Sequence, residues 1–87
     1  MKKKKQSQRL VIDVRRPDEF EKGHADGSIN IPLQEMEHRL NEIKKIEQPI
    51  VLVCGGGTRH VQAYELLKDH GVDTEKGGGW KDVQPDL

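Results

Sequence analysis

The chain has 87 residues, of which 32% are hydrophobic and 3% aromatic, and its formal net charge at neutral pH is zero. This length allows one small domain. No apolar run is long enough to cross a membrane. The scarcity of aromatic side chains disfavours base-stacking surfaces for single-stranded nucleic acid. Cys54 is the single cysteine, which excludes an internal disulfide and a zinc site built on cysteine pairs.

The charges are unevenly distributed along the chain. Residues 1–9 carry five basic side chains and no acidic one, so the rest of the chain holds 10 bases against 15 acids. An acidic body disfavours nucleic-acid binding. We predict a flexible basic tail over residues 1–9, with a tether to an anionic surface or to nucleic acid as the alternative, and a folded domain over residues 10–87. No apolar stretch follows the lysines, so a secretory signal is not indicated and the sequence predicts a cytoplasmic protein.

The first half of the chain alternates strand and helix patterns. Residues 10–14 are rich in β-branched side chains, which is typical of a strand buried on both faces. A short helix is predicted to begin at Pro17 and to end before Gly23, and residues 29–31 form a second short strand. Apolar residues spaced by three or four then predict one amphipathic helix. The residues of its inner stripe are Leu33, Met36, Leu40, Ile43 and Ile46.

The second half contains the most apolar segment, residues 50–53, which predicts a central parallel strand ending directly before Cys54. A helix is predicted from about Arg59 to His70, with Gly71 just beyond its end. The predicted inner face of that helix comprises Val61, Ala63, Tyr64, Leu66 and Leu67. Residues 72–75 are predicted as a last short strand and residues 77–79 as a loop. The alternation predicts an α/β domain whose mostly parallel sheet of four or five strands is flanked by helices.

The candidate site is the segment that follows the central strand. Ligands of open α/β sheets bind beyond the carboxyl ends of strands, and the glycines at positions 55–57 let the backbone curl so that successive N–H groups point inward. The helix start, Arg59 and a protonated His60 add positive charge. These features favour a thiolate and predict Cys54 as a nucleophile. The alternative is that Cys54 is a small buried apolar residue.

Several segments together resemble rhodanese domains, in particular the single-domain bacterial thiosulfate sulfurtransferases of the phage-shock type. They are Asp13-Val14-Arg15, Glu19-Phe20, Gly23-His24, Gly27-Ser28-Ile29-Asn30-Ile31-Pro32, Cys54-Gly55-Gly56-Gly57-Thr58-Arg59 and Gly77-Gly78-Gly79-Trp80. The resemblance covers nearly all of residues 10–80 and implies a small three-layer rhodanese-like domain.

The resemblance also implies a reaction. Cys54 would take the outer sulfur of thiosulfate as a persulfide and pass it to cyanide or to a thiol acceptor, such as a thioredoxin-like protein. The implied substrate-binding residues are Gly55, Gly56, Gly57, Thr58 and Arg59. The N–H groups of residues 55–59 would stabilise the persulfide anion, and Arg59 would attract the sulfonate. With a preformed thiolate no general base is needed, no cofactor is expected, and we expect a monomer.

The chain differs from the family pattern in two ways, and the length of its active-site loop distinguishes it from related enzymes. Many members carry a large or basic residue where this chain has Gly55, and the short termini predict that an edge strand is missing. Related phosphatases and arsenate reductases have arginine six positions after the cysteine, whereas Arg59 lies five after Cys54, which favours one added sulfur over a phosphate. The remaining alternative to an enzyme is a partner-binding or redox-sensing module of the same fold.

A few other polar residues have mainly structural interpretations. Asp13 and Arg15 are predicted to form a charge network rather than part of the site. Trp80 is predicted as a core anchor after its glycine loop, with a substrate wall as the alternative. A metal held by Cys54 and His60 would have too few protein ligands for a structural zinc site, so no metal is predicted.

Overall fold

The computed structural model describes residues 9–83 as a parallel sheet with helices packed on it. In chain order the elements are β1 (Leu10–Asp13), α1 (Pro17–Glu21), β2 (Ile29–Asn30), 3₁₀ helices at Leu33–Glu35 and Glu37–Arg39, α2 (Leu40–Lys44), β3 (Ile50–Cys54), α3 (Arg59–Asp69), β4 (Glu75–Gly79) and a last 3₁₀ helix at Trp80–Asp82. Within these residues the four strands lie in the order β2-β1-β3-β4, and every neighbouring pair is parallel. The predicted α/β class is confirmed.

The two central strands are buried because side chains cover both faces of the sheet. On one face Ile12 and Leu52 pack with Ile43 of α2 and Leu67 of α3 in the larger apolar cluster. The other face carries a smaller cluster of buried valines, with Trp80 and Val83 packed against it; the valines are Val11, Val51 and Val53. Burial on both faces accounts for the continuous apolar runs in β1 and β3. Trp80 is only partly buried, and it packs against the smaller cluster rather than lying within it.

The single helix predicted over residues 33–46 is wrong as a continuous element. The segment is divided into two 3₁₀ helices and α2, and the break lies at Arg39, whose φ and ψ are −115° and 21°. The apolar stripe still faces inward: Met36 and Ile43 are fully buried, and the other three stripe residues pack against the same cluster. Spacings of three suit a 3₁₀ helix as well as an α-helix, so the stripe predicts the buried face but not the type of turn.

The end of the sheet also differs from the prediction, because β4 comprises Glu75–Gly79 and so includes the glycines assigned to a loop. Gly77 lies so close to β3 that a Cβ would stand 2.6 Å from Val51 Cγ1, and Gly78 has a φ of +83°. The pairing with β3 shifts register between Leu52 and Val53. Here glycine permits a close backbone approach and an irregular strand pairing, although it generally disfavours strands.

Both ends of α3 are close to the predicted positions. The backbone N–H of Val72 donates to Leu67 O at 2.8 Å and that of Gly71 donates to Lys68 O at 3.0 Å. These two bonds form a Schellman motif, in which Gly71 adopts a φ of +82°. Gly71 is thus the residue that follows the helix end, as predicted.

The predicted tail lies almost wholly outside the described residues. Its last residue, Arg9, is described and forms an ion pair with Glu75 of β4, with 2.9 Å between Nη1 and Oε1. The division of the chain at residue 9 stays a prediction. Across residues 9–83, no helix has both the length and the apolar character needed to cross a membrane.

Candidate active site

The strand order places Cys54 at the point where ligands of parallel sheets bind. The direction of strand addition reverses between β1 and β3, because β2 lies outside β1 and β4 lies outside β3. Open α/β sheets bind ligands at the carboxyl ends of the strands beside such a reversal. Cys54 is the last residue of β3 and pairs with Gly79 of β4. Its side chain is fully buried, and its thiol is free.

Residues 55–58 form an exposed loop between Cys54 and α3. Gly56 has a φ of +123°, which a residue with a side chain rarely adopts. In the part of the chain that the structure describes, the N–H groups of residues 55–58 donate no backbone hydrogen bond. The loop that follows Cys54 therefore offers unpaired donors, which an anion-binding loop requires.

His60 contacts the cysteine directly. Its Nδ1 lies 3.1 Å from Cys54 Sγ, and the residue is 9% exposed. Burial lowers the pKa of His60 below its usual value, and the positive charge of Lys76 lowers it further. Because the imidazole is desolvated and experiences the positive charge of Lys76, it is uncharged at neutral pH. The protonated form considered from sequence is therefore disfavoured.

From sequence, His60 was considered only as a nearby charge or metal ligand and was not placed among the catalytic or substrate-binding residues. The helix face predicted to point inward included Val61, but Val61 is only half-buried and His60 is buried in its place. His60 lies three positions before Ala63 and seven before Leu67, both fully buried. That spacing is the signal that places all three residues on one helix face.

Arg59 is held by an acidic residue of α1. Its Nη1 and Nη2 donate to the two carboxylate oxygens of Glu19 at 2.7 and 3.2 Å. This bond, with a second from the Arg16 backbone N–H, lowers the pKa of Glu19 to about 2. The Arg59 guanidinium lies next to the backbone of Gly55. A Cβ atom added at position 55 would stand only 3.2 Å from Arg59 Nη2. Glycine at position 55 thus leaves room for the Arg59–Glu19 pair.

The charged residues after β1 form a structural network. Arg15 donates to both carboxylate oxygens of Asp13, with 2.8 Å between Nη2 and Oδ2, and also donates to Gly23 O at 2.7 Å. Both members of this ion pair are buried, and the Arg15 guanidinium stacks on Trp80 at 4.9 Å from the ring centroid. These contacts tie the end of β1 to the loop after α1, in agreement with the predicted network.

The metal prediction rested on the number of protein ligands at Cys54 and His60. Among residues 9–83, no three His, Cys, Asp or Glu side chains are grouped to hold a metal ion. The chemistry that the arrangement supports is that of a thiol with a neighbouring imidazole and a cradle of backbone donors.

Comparison with known proteins identifies the family to which this site belongs. The description of the matching family is "Rhodanese-like domain", and it matches residues 1–84. The chain belongs to the rhodanese family. It is 35% identical over 74 residues to the thiosulfate sulfurtransferase PspE of Escherichia coli strain K12, covering 83% of this chain and 71% of PspE.

Two further relatives extend the comparison. The uncharacterized protein YqhL of Bacillus subtilis strain 168 is 43% identical over 71 residues, which are 78% of this chain. The match spans only 56% of YqhL, little more than half of its length. A solved structure described as "rhodanese with anions from E. coli" has a TM-score of 0.75 and 34% identity, covering 86% of this chain and 91% of that one. The fold expected from the resemblance is confirmed.

Proposed function

We propose that this protein is a thiosulfate sulfurtransferase that carries sulfane sulfur as a persulfide on Cys54. The observation that carries the proposal is the position of Cys54 at the carboxyl end of β3, directly before a glycine loop with unpaired N–H groups. Membership of the family and similarity to PspE support it. The reaction requires a sulfur donor and a sulfur acceptor, and no cofactor takes part.

The proposed reaction has two half-reactions. The Cys54 sulfur attacks the outer sulfur of thiosulfate, the sulfur–sulfur bond of the donor breaks, and sulfite leaves with the bonding electrons. Cyanide or an acceptor thiolate, including that of a thioredoxin-like protein, then attacks the outer sulfur of the persulfide. Because the enzyme alternates between a free and a sulfur-loaded form, ping-pong kinetics are expected.

The loop has a separate role from the nucleophile. Terminal persulfide sulfur is anionic, and the N–H groups of Gly55, Gly56, Gly57 and Thr58 would bind it. The bidentate contact of Arg59 with Glu19 supports a second role for Arg59 beside attraction of the donor sulfonate: it holds the end of the loop against α1. Arg59 would then affect both half-reactions through the loop.

The decisive experiment is incubation of the protein with thiosulfate followed by intact-mass measurement. The wild type is expected to gain the mass of one sulfur atom, and addition of cyanide is expected to remove it with formation of thiocyanate. Cys54→Ala is expected to gain no sulfur and to keep its fold, because alanine is a small apolar residue that suits a buried position. Wild-type activity in Cys54→Ala would contradict the covalent mechanism.

A binding module without enzymatic activity is the second candidate function. The complete burial of Cys54 favours it, because a donor reaches the sulfur only if the atoms that cover it move aside. Under this alternative the protein would gain no sulfur from thiosulfate while remaining folded. The same mass measurement therefore distinguishes the two functions.

A further inference from the structure

The contact between His60 and Cys54 has no role in the reaction as described so far. His60 is the second residue of α3, and its Nδ1 lies 3.1 Å from the sulfur. Both side chains are buried, at 9% and 0% exposure of the residues. A buried imidazole in direct contact with a thiol can exchange a proton with it without involving solvent.

The charge state of the imidazole decides what it does to the thiol. Burial and the charge of Lys76 hold the pKa of His60 below its ordinary value, so the ring is neutral near neutral pH. A neutral imidazole has one N–H and one nitrogen lone pair. With the hydrogen on Nε2, the Nδ1 lone pair accepts the S–H of Cys54.

We infer that His60 is a catalytic residue of the sulfur transfer, which accepts the Cys54 proton on Nδ1 and later returns it. The inference rests on the proposed function and deepens it, since it names the group that generates the attacking thiolate. It also replaces the expectation that a preformed thiolate makes a base unnecessary.

The proton and the electrons balance over the two half-reactions. In the first, the proton moves from Sγ to Nδ1, Sγ bonds to the outer sulfur of thiosulfate, and sulfite leaves as a dianion. The site then holds a persulfide anion beside an imidazolium cation, and its net charge is unchanged. In the second, cyanide or a thiolate takes the outer sulfur, and Sγ leaves and recovers the proton from Nδ1. No oxidant or reductant is needed, and the proton stays between Cys54 and His60.

The charged groups around the pair favour this cycle. Lys76 of β4 disfavours a resting imidazolium, and Arg59 of α3 interacts electrostatically with Cys54. Glu35, the acidic residue of the 3₁₀ helix that also contacts α3, is paired with Arg39 at 3.2 Å. The imidazolium is therefore stabilised mainly by the sulfur anion that forms beside it.

The test is the rate of Cys54 alkylation by iodoacetamide as a function of pH, in the wild type and in His60→Asn. Asparagine keeps a polar group near the position of Nδ1 but does not accept a proton. At about pH 7 the variant is expected to react roughly a hundredfold more slowly. At about pH 10, above the ordinary thiol pKa of about 8.5, the two rates are expected to converge because the thiol ionises without help.

His70→Asn is the matched control, because His70 is exposed at the other end of α3. It is expected to behave as the wild type at both pH values. His60→Gln is a second variant for the case that His60→Asn does not fold, and circular dichroism checks both. Equal rates at neutral pH in wild type and variant would overturn the inference. So would equal slowing at both pH values in folded protein, because a group that acts only by accepting the thiol proton has no effect on a thiol that is already ionised.

Thiosulfate loading separates the failure of this inference from the failure of the proposed function. If the wild type gains no sulfur, the proposed function is wrong, and the alkylation profile alone decides whether His60 accepts the Cys54 proton. If the wild type gains sulfur while the alkylation profiles of wild type and His60→Asn coincide, the function stands and the inference on His60 is wrong.

Discussion

At the scale of single residues, Gly56 shows how strongly the site depends on the absence of a side chain. Its φ of +123° lies in a region that L-residues rarely adopt, yet a Cβ there would meet no atom within 4 Å. The constraint is therefore the backbone conformation and not the available space. A strained conformation of this kind costs about 1–3 kcal/mol for a residue with a side chain.

We predict that Gly56→Ala destabilises the protein by about 1–3 kcal/mol and reduces sulfur transfer, because the loop N–H groups turn away from the sulfur. Gly27→Ala is the matched control, since Gly27 also has a positive φ, +80°, and open space around it. Chemical unfolding is expected to show a similar decrease in the free energy of unfolding for both variants. Thiosulfate loading is expected to be reduced only in Gly56→Ala. Equal loading in the two variants would mean that the loop conformation does not matter for transfer.

At the scale of elements, the active-site loop is tied to α1 by Glu19 and Arg59. The two side chains are 40 positions apart in the chain, and each is about one-third exposed or less. A partly exposed ion pair contributes little to stability, about 0.5 kcal/mol. Its larger effect is on position, because it holds the first residue of α3 next to Gly55.

The pH dependence of stability tests this connection. The pKa of Glu19 is lowered from 4.5 to about 2 in the folded protein, so its contribution is fully present above pH 4.5 and is lost as the pH falls toward about 2. Wild type is therefore expected to be more stable than Glu19→Gln above pH 4.5, and the difference is expected to shrink as the pH falls and to disappear near pH 2. Urea unfolding across this range measures the difference.

Glu21→Gln is the control for Glu19→Gln, because Glu21 is an exposed carboxylate of the same helix. Its difference from the wild type is expected to change little over the same pH range. A constant difference between wild type and Glu19→Gln down to about pH 2 would show that the ion pair does not cause the shift in the pKa of Glu19.

At the scale of the whole molecule, the basic residues are concentrated before the first strand. The lysines at positions 2–5 precede a folded body that is acidic overall. The ion pair between Arg9 and Glu75 is exposed at the sheet edge. The Arg9–Glu75 pair lies outside the two apolar clusters around the sheet.

We predict that removal of residues 1–8 changes the free energy of unfolding by less than about 0.5 kcal/mol and leaves sulfur transfer unchanged. The physical reason is composition, because a segment rich in lysine and glutamine offers little apolar surface to bury. Thermal unfolding and thiosulfate loading of the truncated protein provide the measurement. A decrease of several degrees, about 4–8 °C for a domain of this size, would show that the segment packs on the body.

Local patterns in the sequence determined the central part of this fold. The continuous apolar runs predicted β1 and β3 because strands covered on both faces have no polar side. The sequence also predicted that Cys54 ends β3 and that a glycine loop follows it, since both features depend only on adjacent residues. Gly71 was recognised as the residue beyond α3 for the same reason.

Only the tertiary structure decided which side chains meet. Arg59 binds Glu19 because α1 lies next to the loop, and His60 faces Cys54 because α3 packs on β3 through Ala63 and Leu67. The glycines of β4 form a strand because their backbone approaches β3 more closely than side chains would allow. Each result depends on contacts between segments distant in the chain or on the rotation of a helix. Residue spacing indicates a buried face, but the partner of that face is set by packing.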